Sequence, residues 1–245
     1  SQIAFVSRFG AIIFILGKIL RFAFFLLFLL LLISKTKVIV GYEIWQVILF
    51  FATFNLIDTV VQFFLREVYR FRSYVVSGDF DYFLIKPISP LFRSLFGGSD
   101  VLDISMLLIS VGFVIMSIFK IGDISLSGVL VYLLLILNAF LIALTFHIFI
   151  LVVGILTTEV DNTLWLYRDI TQMGRLPIDI YKEPIRGILT FILPVGIMMT
   201  FPPKSLMGLL SIQSVMIALV VSTVLLYVSL KCWKFAISRY ASASS

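Results

Sequence analysis

The sequence predicts an all-α, polytopic membrane protein with six transmembrane helices, and three observations lead to that prediction. Hydrophobic residues make up 61% of the 245-residue chain and charged residues only 13%, whereas soluble domains carry roughly 25% charge. The mean hydropathy is +1.16, and a soluble fold has too little interior to hide so much apolar surface. The apolar residues also form continuous runs, not the alternating pattern of a membrane β-barrel.

A membrane-spanning helix needs about 20 mostly apolar residues, and the chain offers six such runs. We place the spans at residues 22–40, 44–65, 101–119, 129–155, 185–201 and 212–230. The fifth span is short and contains Pro194. Residues 8–21 precede the first span, and we expect them to lie along the inner interface as an elbow, from which Lys18 and Arg21 reach the membrane surface. No small-residue cleavage site follows the first apolar run, so we expect no cleavable signal peptide.

The lysines and arginines indicate the orientation. With the N-terminus inside, 15 of the 19 fall in inside segments, and the four outside are Lys35, Lys37, Lys120 and Lys204. Because inside loops are enriched in positive charge, we expect both termini in the cytoplasm and the protein in the cell membrane. This bias and the attraction of anionic membrane lipids account for the net charge of +6, so no nucleic-acid partner is expected.

Residue types for catalysis and metal binding are scarce. Cys232 and His147 are the single cysteine and histidine, which excludes an intrachain disulfide and a site rich in cysteine or histidine ligands. The nearest approach to a phosphate loop, from Gly10 to Gly17 and Lys18, has the wrong spacing and lies in an apolar helix. We recognise no Ser-His-acid arrangement. The chain itself is therefore expected to be no enzyme and to bind no cofactor or metal.

The longest polar segment, residues 66–100, lies inside under this topology. Its first part carries polar side chains at helical spacing, which predicts a helix that continues out of the second span. Gly78 is a natural end for that helix, and Pro87 and Pro90 prevent a continuous helix beyond it. The apolar residues 80–85 are surrounded by charged ones. Two interpretations stay open: a short helix resting on lipid headgroups, or a docking element for a cytoplasmic partner.

A second polar segment, residues 157–184, follows the fourth span. Its first half carries apolar and charged side chains on opposite helix faces, which predicts an amphipathic helix on the cytoplasmic surface. Pro177 and Pro184 then turn the chain. An alternative stays open: if residues 161–173 enter the membrane, residues 177–184 lie outside and the fifth span becomes a re-entrant piece.

Polar residues inside the spans are candidates for function, because an ionisable group in lipid is costly. Asp58 is the leading one, and Asn55 and Gln62 lie on the same helix face, about one turn away in each direction. Two interpretations remain: a translocation path or proton site, and a hydrogen bond between helices, which we favour. His147, near the inner end of the fourth span, is a further candidate for the path, but buried histidines are more often simply packed and hydrogen-bonded.

Four stretches in order along the chain carry a resemblance to a known family. They are TFNLID in the second span, SGDFDYFLIKPISPLF in segment 66–100, GRLPIDIYKEPIRGILTFILPVGIMMTFPPKSLMG around the fifth span, and WKFAISRYASASS at the end. Together these stretches resemble a group of ABC-2 type transporter permeases, which are bacterial export subunits. The run GDFDYFLIKP fits the family's Gly-acidic-apolar-Asp motif that ends in a basic residue and proline. The final stretch has Ala241 where serine is usual.

The resemblance implies a permease with six helices and an interfacial elbow, paired with a second permease that is the same chain or a related one. A coupling loop between the second and third spans would dock on a separate ABC ATPase, which binds the ATP and Mg. The residues of this loop are Gly78, Asp79, Phe80, Asp81, Phe83, Leu84, Lys86, Pro87, Pro90 and Arg93. The apolar residues 80–85 would enter a cleft of the ATPase, and the charged residues around them would fix the orientation.

The expected function is ATP-driven export of an amphipathic or hydrophobic compound. Because Asp58 is the one acid deep in a span, the expectation extends to cationic compounds. The alternative is an ATP-independent, proton-coupled carrier or channel that uses Asp58.

Overall fold

The computed structural model describes residues 2–36 and 38–240. Within these residues the fold is all-α, with β structure limited to an isolated bridge between Ile39 and Tyr42. Five helices are long and apolar enough to cross a membrane, and the number of spans rises to six if one bent helix pair counts as a span. The predicted all-α fold is thereby confirmed, and five to six candidate spans stand where six are predicted.

Eleven α-helices make up most of the described part of the chain. They are α1 (Gln2–Thr36), α2 (Ile44–Leu65), α3 (Phe71–Ser77), α4 (Asp81–Ile85), α5 (Pro90–Leu95), α6 (Asp103–Ile121), α7 (Leu126–Thr157), α8 (Val160–Gln172), α9 (Ile185–Gly187), α10 (Phe201–Leu206) and α11 (Ile212–Arg239). Short 3-10 segments lie at Arg66–Arg70, Met173–Arg175 and Ile178–Ile180. Two π-helical segments lie at Ile188–Ile192 and Gly196–Thr200.

Helices α2 and α7 form the centre of the bundle. Helix α2 packs against α6, α1 and α7, and α7 packs against α11 and α10. Three phenylalanines of α2, at positions 50, 51 and 54, are at most 2% exposed, whereas α1 leaves most of its described apolar side chains uncovered. The continuous apolar character of α1 therefore suits contact with lipid or with another chain, not burial within this one.

Buried hydrogen bonds join the central helices. The hydroxyl oxygens of Thr53 on α2 and Tyr132 on α7 are 3.1 Å apart. Asn138 on α7 accepts a hydrogen bond of 2.5 Å from the Ser222 hydroxyl on α11, and its amide donates one of 3.4 Å to the carbonyl of Ala218. Such bonds between membrane helices contribute about 0.6 kcal/mol on average, and they also fix how the helices are rotated against each other.

Helix α1 corrects the predicted elbow and first span. We predict a break near Phe22 between residues 8–21 and residues 22–40, but α1 is one helix, and its part suited to cross a membrane runs from Ile12 to Thr36. Helix α1 contains no proline, and the Lys18 amine pairs with a carboxylate of α6 inside the protein. Nothing therefore forces the chain to leave the helix axis.

The second polar segment differs most from its prediction as a surface helix. Asp161, at the start of α8, pairs with Arg72, beyond the C-terminal end of α2, with Nη1 and Oδ2 3.2 Å apart. Asp179 accepts a hydrogen bond of 3.0 Å from the hydroxyl of Tyr42, just before α2 begins, and pairs with Lys204 at 2.7 Å. The two ends of the segment thus lie at opposite ends of α2. The segment therefore runs along the bundle.

The predicted fifth span, residues 185–201, is two helical pieces and not one straight helix. The pieces Ile185–Ile192 and Gly196–Leu206 meet at an angle of 83°. Pro194 lies between them, and its missing N–H and its ring interrupt the helix there. Apolar composition alone cannot distinguish such a bent pair from a span, because it records length and not direction.

The second of these pieces packs closely on the chain that follows α8. A Cβ atom on Gly174 would lie 2.7 Å from Val195 Cγ1 and 2.8 Å from Met199 Cγ, so only glycine fits. The backbone N–H of Ile178 donates a hydrogen bond of 3.1 Å to the Thr200 hydroxyl. These contacts join the bent pair and the end of the second polar segment into one packed unit.

Candidate functional site

Residues 66–100, called loop 66–100 from here on, fold into short helices because Gly78 ends one helix and Pro90 begins another. Gly78 ends α3 in a left-handed conformation, with φ of +79°, which glycine adopts without the strain of a Cβ atom. Pro90 begins α5, and the Ser89 hydroxyl accepts a hydrogen bond of 3.4 Å from the N–H of Phe92. The segment is thereby held in three helical pieces after the 3-10 turn that continues α2.

Two predicted docking residues, Phe80 and Phe83, face the protein's own core. They are 0% and 7% exposed. The Phe80 ring centroid lies 5.2 Å from that of Phe71, 5.1 Å from that of Tyr240 and 6.4 Å from that of Trp233. Positions three apart share one face of a helix, so a single turn turns both rings inward. This corrects the expectation that all apolar residues from 80 to 85 enter a partner.

The opposite face of loop 66–100 is apolar and uncovered. Its exposed apolar residues, called the loop patch, are Tyr82, Leu84, Ile85, Ile88 and Phe92. Ile85 is 78% exposed, and Lys86 and Pro87 are exposed beside it. Exposed apolar side chains that are grouped and rimmed by polar residues mark interaction sites.

The acidic residues of the predicted coupling loop make local contacts. Asp79 accepts a hydrogen bond of 2.7 Å from the Ser77 hydroxyl at the end of α3. Asp81 begins α4 and lies beside the C-terminal end of α11, where burial and the Asp81 carboxylate raise the pKa of Tyr240 to about 12. Both acids therefore tie the loop together and to α11.

A buried carboxylate that the sequence analysis does not single out joins the pieces of loop 66–100. The Glu67 side chain is 1% exposed and accepts a hydrogen bond of 2.7 Å from the Tyr74 hydroxyl. Guanidinium nitrogens of Arg93 and Arg70 each lie 3.5 Å from its oxygens. A Cβ atom on Gly98 would lie 2.9 Å from Oε2, so glycine leaves the necessary room. The proximity of Glu67 and Arg70 in sequence is a weak signal, and nothing in the sequence points to Arg93.

A second ionic cluster links α1, the end of α2 and the start of α6. The Arg66 guanidinium contacts Asp100 at 2.5 Å and Asp103 at 2.6 Å. Asp103, 1% exposed, also pairs with Lys18. A hydrogen bond from the backbone N–H of Leu102, together with Arg66, lowers the pKa of Asp100. This cluster is not predictable from local sequence either, because its basic residues lie more than 30 positions from its acidic ones.

Asn55, Asp58 and Gln62 lie on one face of α2, as helical spacing predicts. Their hydrogen bonds, however, are made within α2 and not to another helix. The Asn55 amide donates to the Phe51 carbonyl at 2.7 Å, and the Gln62 amide donates to Asp58 Oδ2 at 2.7 Å. Arginines 21, 168 and 175 lie near enough to Asp58 to interact with it electrostatically. The favoured prediction for Asp58 is a hydrogen bond to another helix, whereas its hydrogen bond here comes from Gln62 of the same helix and its charged neighbours are arginines.

Two adjoining cavities lie beside this face of α2 and share Lys18, Arg21 and Gln62 in their linings. The smaller, about 30 Å³, reaches Asn55 and Asp58. The larger, about 620 Å³, opens between α1, α2 and α8. Sites for small molecules usually measure about 300–1,000 Å³, so the larger cavity is the candidate for a ligand.

His147 lies apart from these cavities. Its ring is 2% exposed, its Nδ1 is 2.8 Å from the Ala143 carbonyl oxygen, and its centroid is 4.8 Å from that of Tyr167. Neither cavity lining includes it. The contacts are those of a packed, hydrogen-bonded histidine between α7 and α8, and they do not place His147 with the other three residues of the proposed path.

Among the described residues, no group of three or more His, Cys, Asp or Glu side chains is arranged to hold a metal ion.

Comparisons with known proteins identify the family of the chain. No curated protein and no solved structure matches the chain. Residues 19–244 match the family model described as ABC-2 family transporter protein. The match spans nearly the whole chain, in agreement with the four motifs, and the chain therefore belongs to the ABC-2 family of transporter proteins.

Proposed function

We propose that the chain is the permease subunit of an ABC-2 transporter, which exports an amphipathic or hydrophobic compound under the control of a separate ABC ATPase. Permeases of this family are typically non-catalytic membrane subunits that work with ABC ATPases. In this proposal the ATPase binds ATP and Mg, and the permease supplies two conformations of similar stability and a path between them.

The loop patch is the observation that carries the proposal. Its apolar residues are exposed, while Phe80 packs against Trp233 of α11 and Phe83 packs against Tyr74 of α3 within the same loop. A buried apolar anchor within a polar rim is how protein interfaces concentrate binding energy. A partner that binds the loop patch would therefore push or pull on the bundle through the ring of Phe80.

The proposal places loop 66–100 and both termini in the cytoplasm of a cell-membrane protein. Five of the six proposed spans are α1 from Ile12, α2, α6, α7 and α11, which are long and apolar enough to cross a membrane. In this proposal residues 160–180 cross within the bundle as the sixth span in place of the bent pair, and the bent pair 185–206 enters and leaves from the outer side. The contacts of Asp161 and Asp179 at opposite ends of α2 support this arrangement. Positive charge also concentrates in loop 66–100, which carries Arg66, Arg70, Arg72, Lys86 and Arg93, as expected for a cytoplasmic loop.

The proposal also includes a second permease, either the same chain or a related one. Helices α1 and α11 leave most of their apolar side chains uncovered within this chain. Membrane helices associate through close packing and not through apolarity alone, so these faces contact lipid, the second permease, or both.

The test compares two exposed apolar residues in a pull-down of the tagged protein from its own host. Ile85 of the loop patch and Leu126, the first residue of α7, are 78% and 76% exposed. An interface anchor is worth about 2 kcal/mol or more, so Ile85→Glu should reduce the ATPase recovered with the permease by roughly 30-fold. Leu126→Glu should leave recovery unchanged. Mass spectrometry identifies the ATPase and any second permease.

Two results would overturn the proposal. If wild-type protein brings down no ATPase under conditions that retain other membrane complexes, the ATPase-driven function fails. ATP-independent, proton-driven transport by the pure protein in liposomes would then support the carrier alternative. If both variants lose the ATPase equally, the loop patch is not its docking surface.

A further inference from the structure

The larger cavity between α1, α2 and α8 has a strongly cationic lining. Its charged residues are Lys18, Arg21, Arg66, Arg70 and Arg168. Among the described residues that line it, none is acidic. Like charges this close repel one another, and a partly enclosed space with few counter-charges attracts anions.

Acids outside the lining neutralise only part of this charge. Lys18 and Arg66 share the ionic cluster at the start of α6, and Arg70 pairs with Glu67. Arg21 and Arg168 have no such salt bridge among the described residues. Their charges reach Asp58, as does that of Arg175, so three guanidinium groups face a single carboxylate.

A buried donor atom of Arg175 that has no hydrogen-bond partner is an independent sign of a ligand site. The Nε atom of Arg175 is buried and has no hydrogen-bond partner. Its guanidinium lies 4.8 Å from the ring centroid of Phe25 and 5.4 Å from that of Phe54, and it donates to Gln172 from Nη2. A buried charged donor without a partner is costly, and Arg175 lines the smaller cavity, which adjoins the cationic one.

Apolar surface adjoins the same cations on the α1 side. Ile13 and Phe14 line the larger cavity and are 54% and 43% exposed. Phe22 and Phe25 line the smaller one, beneath Arg21. A ligand with an anionic head and an apolar body would thus find both of its parts matched. A cationic compound would meet repulsion instead, so this inference departs from the expectation of a cationic substrate that Asp58 alone suggests.

We propose that this cavity binds the phosphate-bearing head of an amphipathic anion, with Arg21 and Arg168 of its own lining and Arg175 of the adjoining smaller cavity as the ligands. The guanidinium group is suited to this role because it donates paired hydrogen bonds to phosphate oxygens and is always charged. The inference rests on the proposed transport function and specifies its substrate class. The head belongs either to a membrane lipid or to a free organic phosphate.

Native mass spectrometry of the purified full chain in detergent tests this inference. The probes are phosphatidic acid, phosphatidylcholine of the same chain length, and inorganic pyrophosphate. Wild-type protein should retain phosphatidic acid and not phosphatidylcholine. Arg21→Gln and Arg168→Gln should each weaken that binding by about tenfold or more, because each removes a charge-assisted contact. Arg72→Gln, at an exposed residue outside both linings, is the matched control.

Asp58→Asn separates a ligand site from a merely structural cluster. Removing the one carboxylate that opposes the three arginines should tighten the binding of phosphatidic acid, whereas a structural role predicts no tightening. Thermal unfolding of every variant shows that it is folded before binding is compared.

Several outcomes would overturn the inference. They are equal retention of the two lipids, an unchanged affinity in both arginine variants, or unchanged or weaker binding in Asp58→Asn. Retention of pyrophosphate as strong as that of phosphatidic acid would overturn the amphipathic part and assign the site to a free phosphate compound. None of these measurements involves the ATPase, so a failure here leaves the docking result untouched, and the reverse also holds.

Discussion

The buried Glu67 carboxylate should be a main stabiliser of loop 66–100, and Glu67→Gln tests this. The substitution keeps the size of the side chain and an oxygen for the Tyr74 hydroxyl, but it removes the charge that faces Arg70 and Arg93. Hydrogen bonds to charged groups are worth about 1.5–3 kcal/mol. The two arginines are half exposed and 3.5 Å away, so solvent screening lowers the expected loss to about 1–2 kcal/mol.

Thermal unfolding in detergent, followed by tryptophan fluorescence, measures the loss. Trp233, one of the three tryptophans of the chain, packs against Phe80, so its share of the emission reports the attachment of the loop to α11. For a chain of this size 1 kcal/mol corresponds to about 2–4 °C, and Glu67→Gln should lower the Tm by roughly 2–8 °C.

Glu183→Gln is the matched control, because Glu183 also pairs with an arginine but its side chain is 58% exposed. It should change stability by no more than about 0.5 kcal/mol. A double variant with Arg93→Gln should lose less than the sum of the two single losses, since the two residues share one interaction. Equal Tm shifts for Glu67→Gln and Glu183→Gln would refute the reasoning.

Two further comparisons of variants test the packing of the bundle. A Cβ atom on Gly154 of α7 would lie 2.5 Å from a valine methyl of α8, so Gly154→Ala should cost about 1–2 kcal/mol. Gly112→Ala, where the Cβ meets open space, should be neutral or stabilising by about 0.5–1 kcal/mol, and equal Tm shifts would contradict this. Asn138→Ala should cost about 1 kcal/mol by breaking the bonds between α7 and α11. Ser222→Ala added to it should cost little more, and additive losses measured by the same unfolding assay would show that the two side chains do not interact.

Residues that interrupt the apolar runs made the ends of several helices predictable. Helix α2 occupies residues 44–65, where the apolar run lies between Glu43 and Arg66. Gly78 and Pro90 stand at the helix boundaries where their backbone chemistry requires them. Such features depend on one residue and its immediate neighbours, so the sequence displays them directly. The face shared by Asn55, Asp58 and Gln62 was likewise predictable, because helical spacing is local.

The partners of these residues were not predictable in the same way. The arginines around Asp58 come from α1, from α8 and from the turn after α8, and Glu67 meets Arg93, 26 positions further along the chain. One turn of helix also decides that Phe80 points inward while Ile85 points outward. The sequence does not show the surface on which the loop packs, so from the sequence alone Phe80 and Ile85 are equally good candidates for contact with a partner.

The sequence by itself determined that this is a helical membrane protein of the ABC-2 family, because apolarity, helix punctuation and motifs are properties of single residues and short runs. Only the tertiary structure decided that the segment of α8 runs along the bundle, that the next apolar run is bent, and that one acid sits among three arginines. Each of these depends on contacts between residues far apart in the chain. Hydropathy assigns a segment to an apolar or polar environment, but the packing partner determines its direction and the charges that surround it.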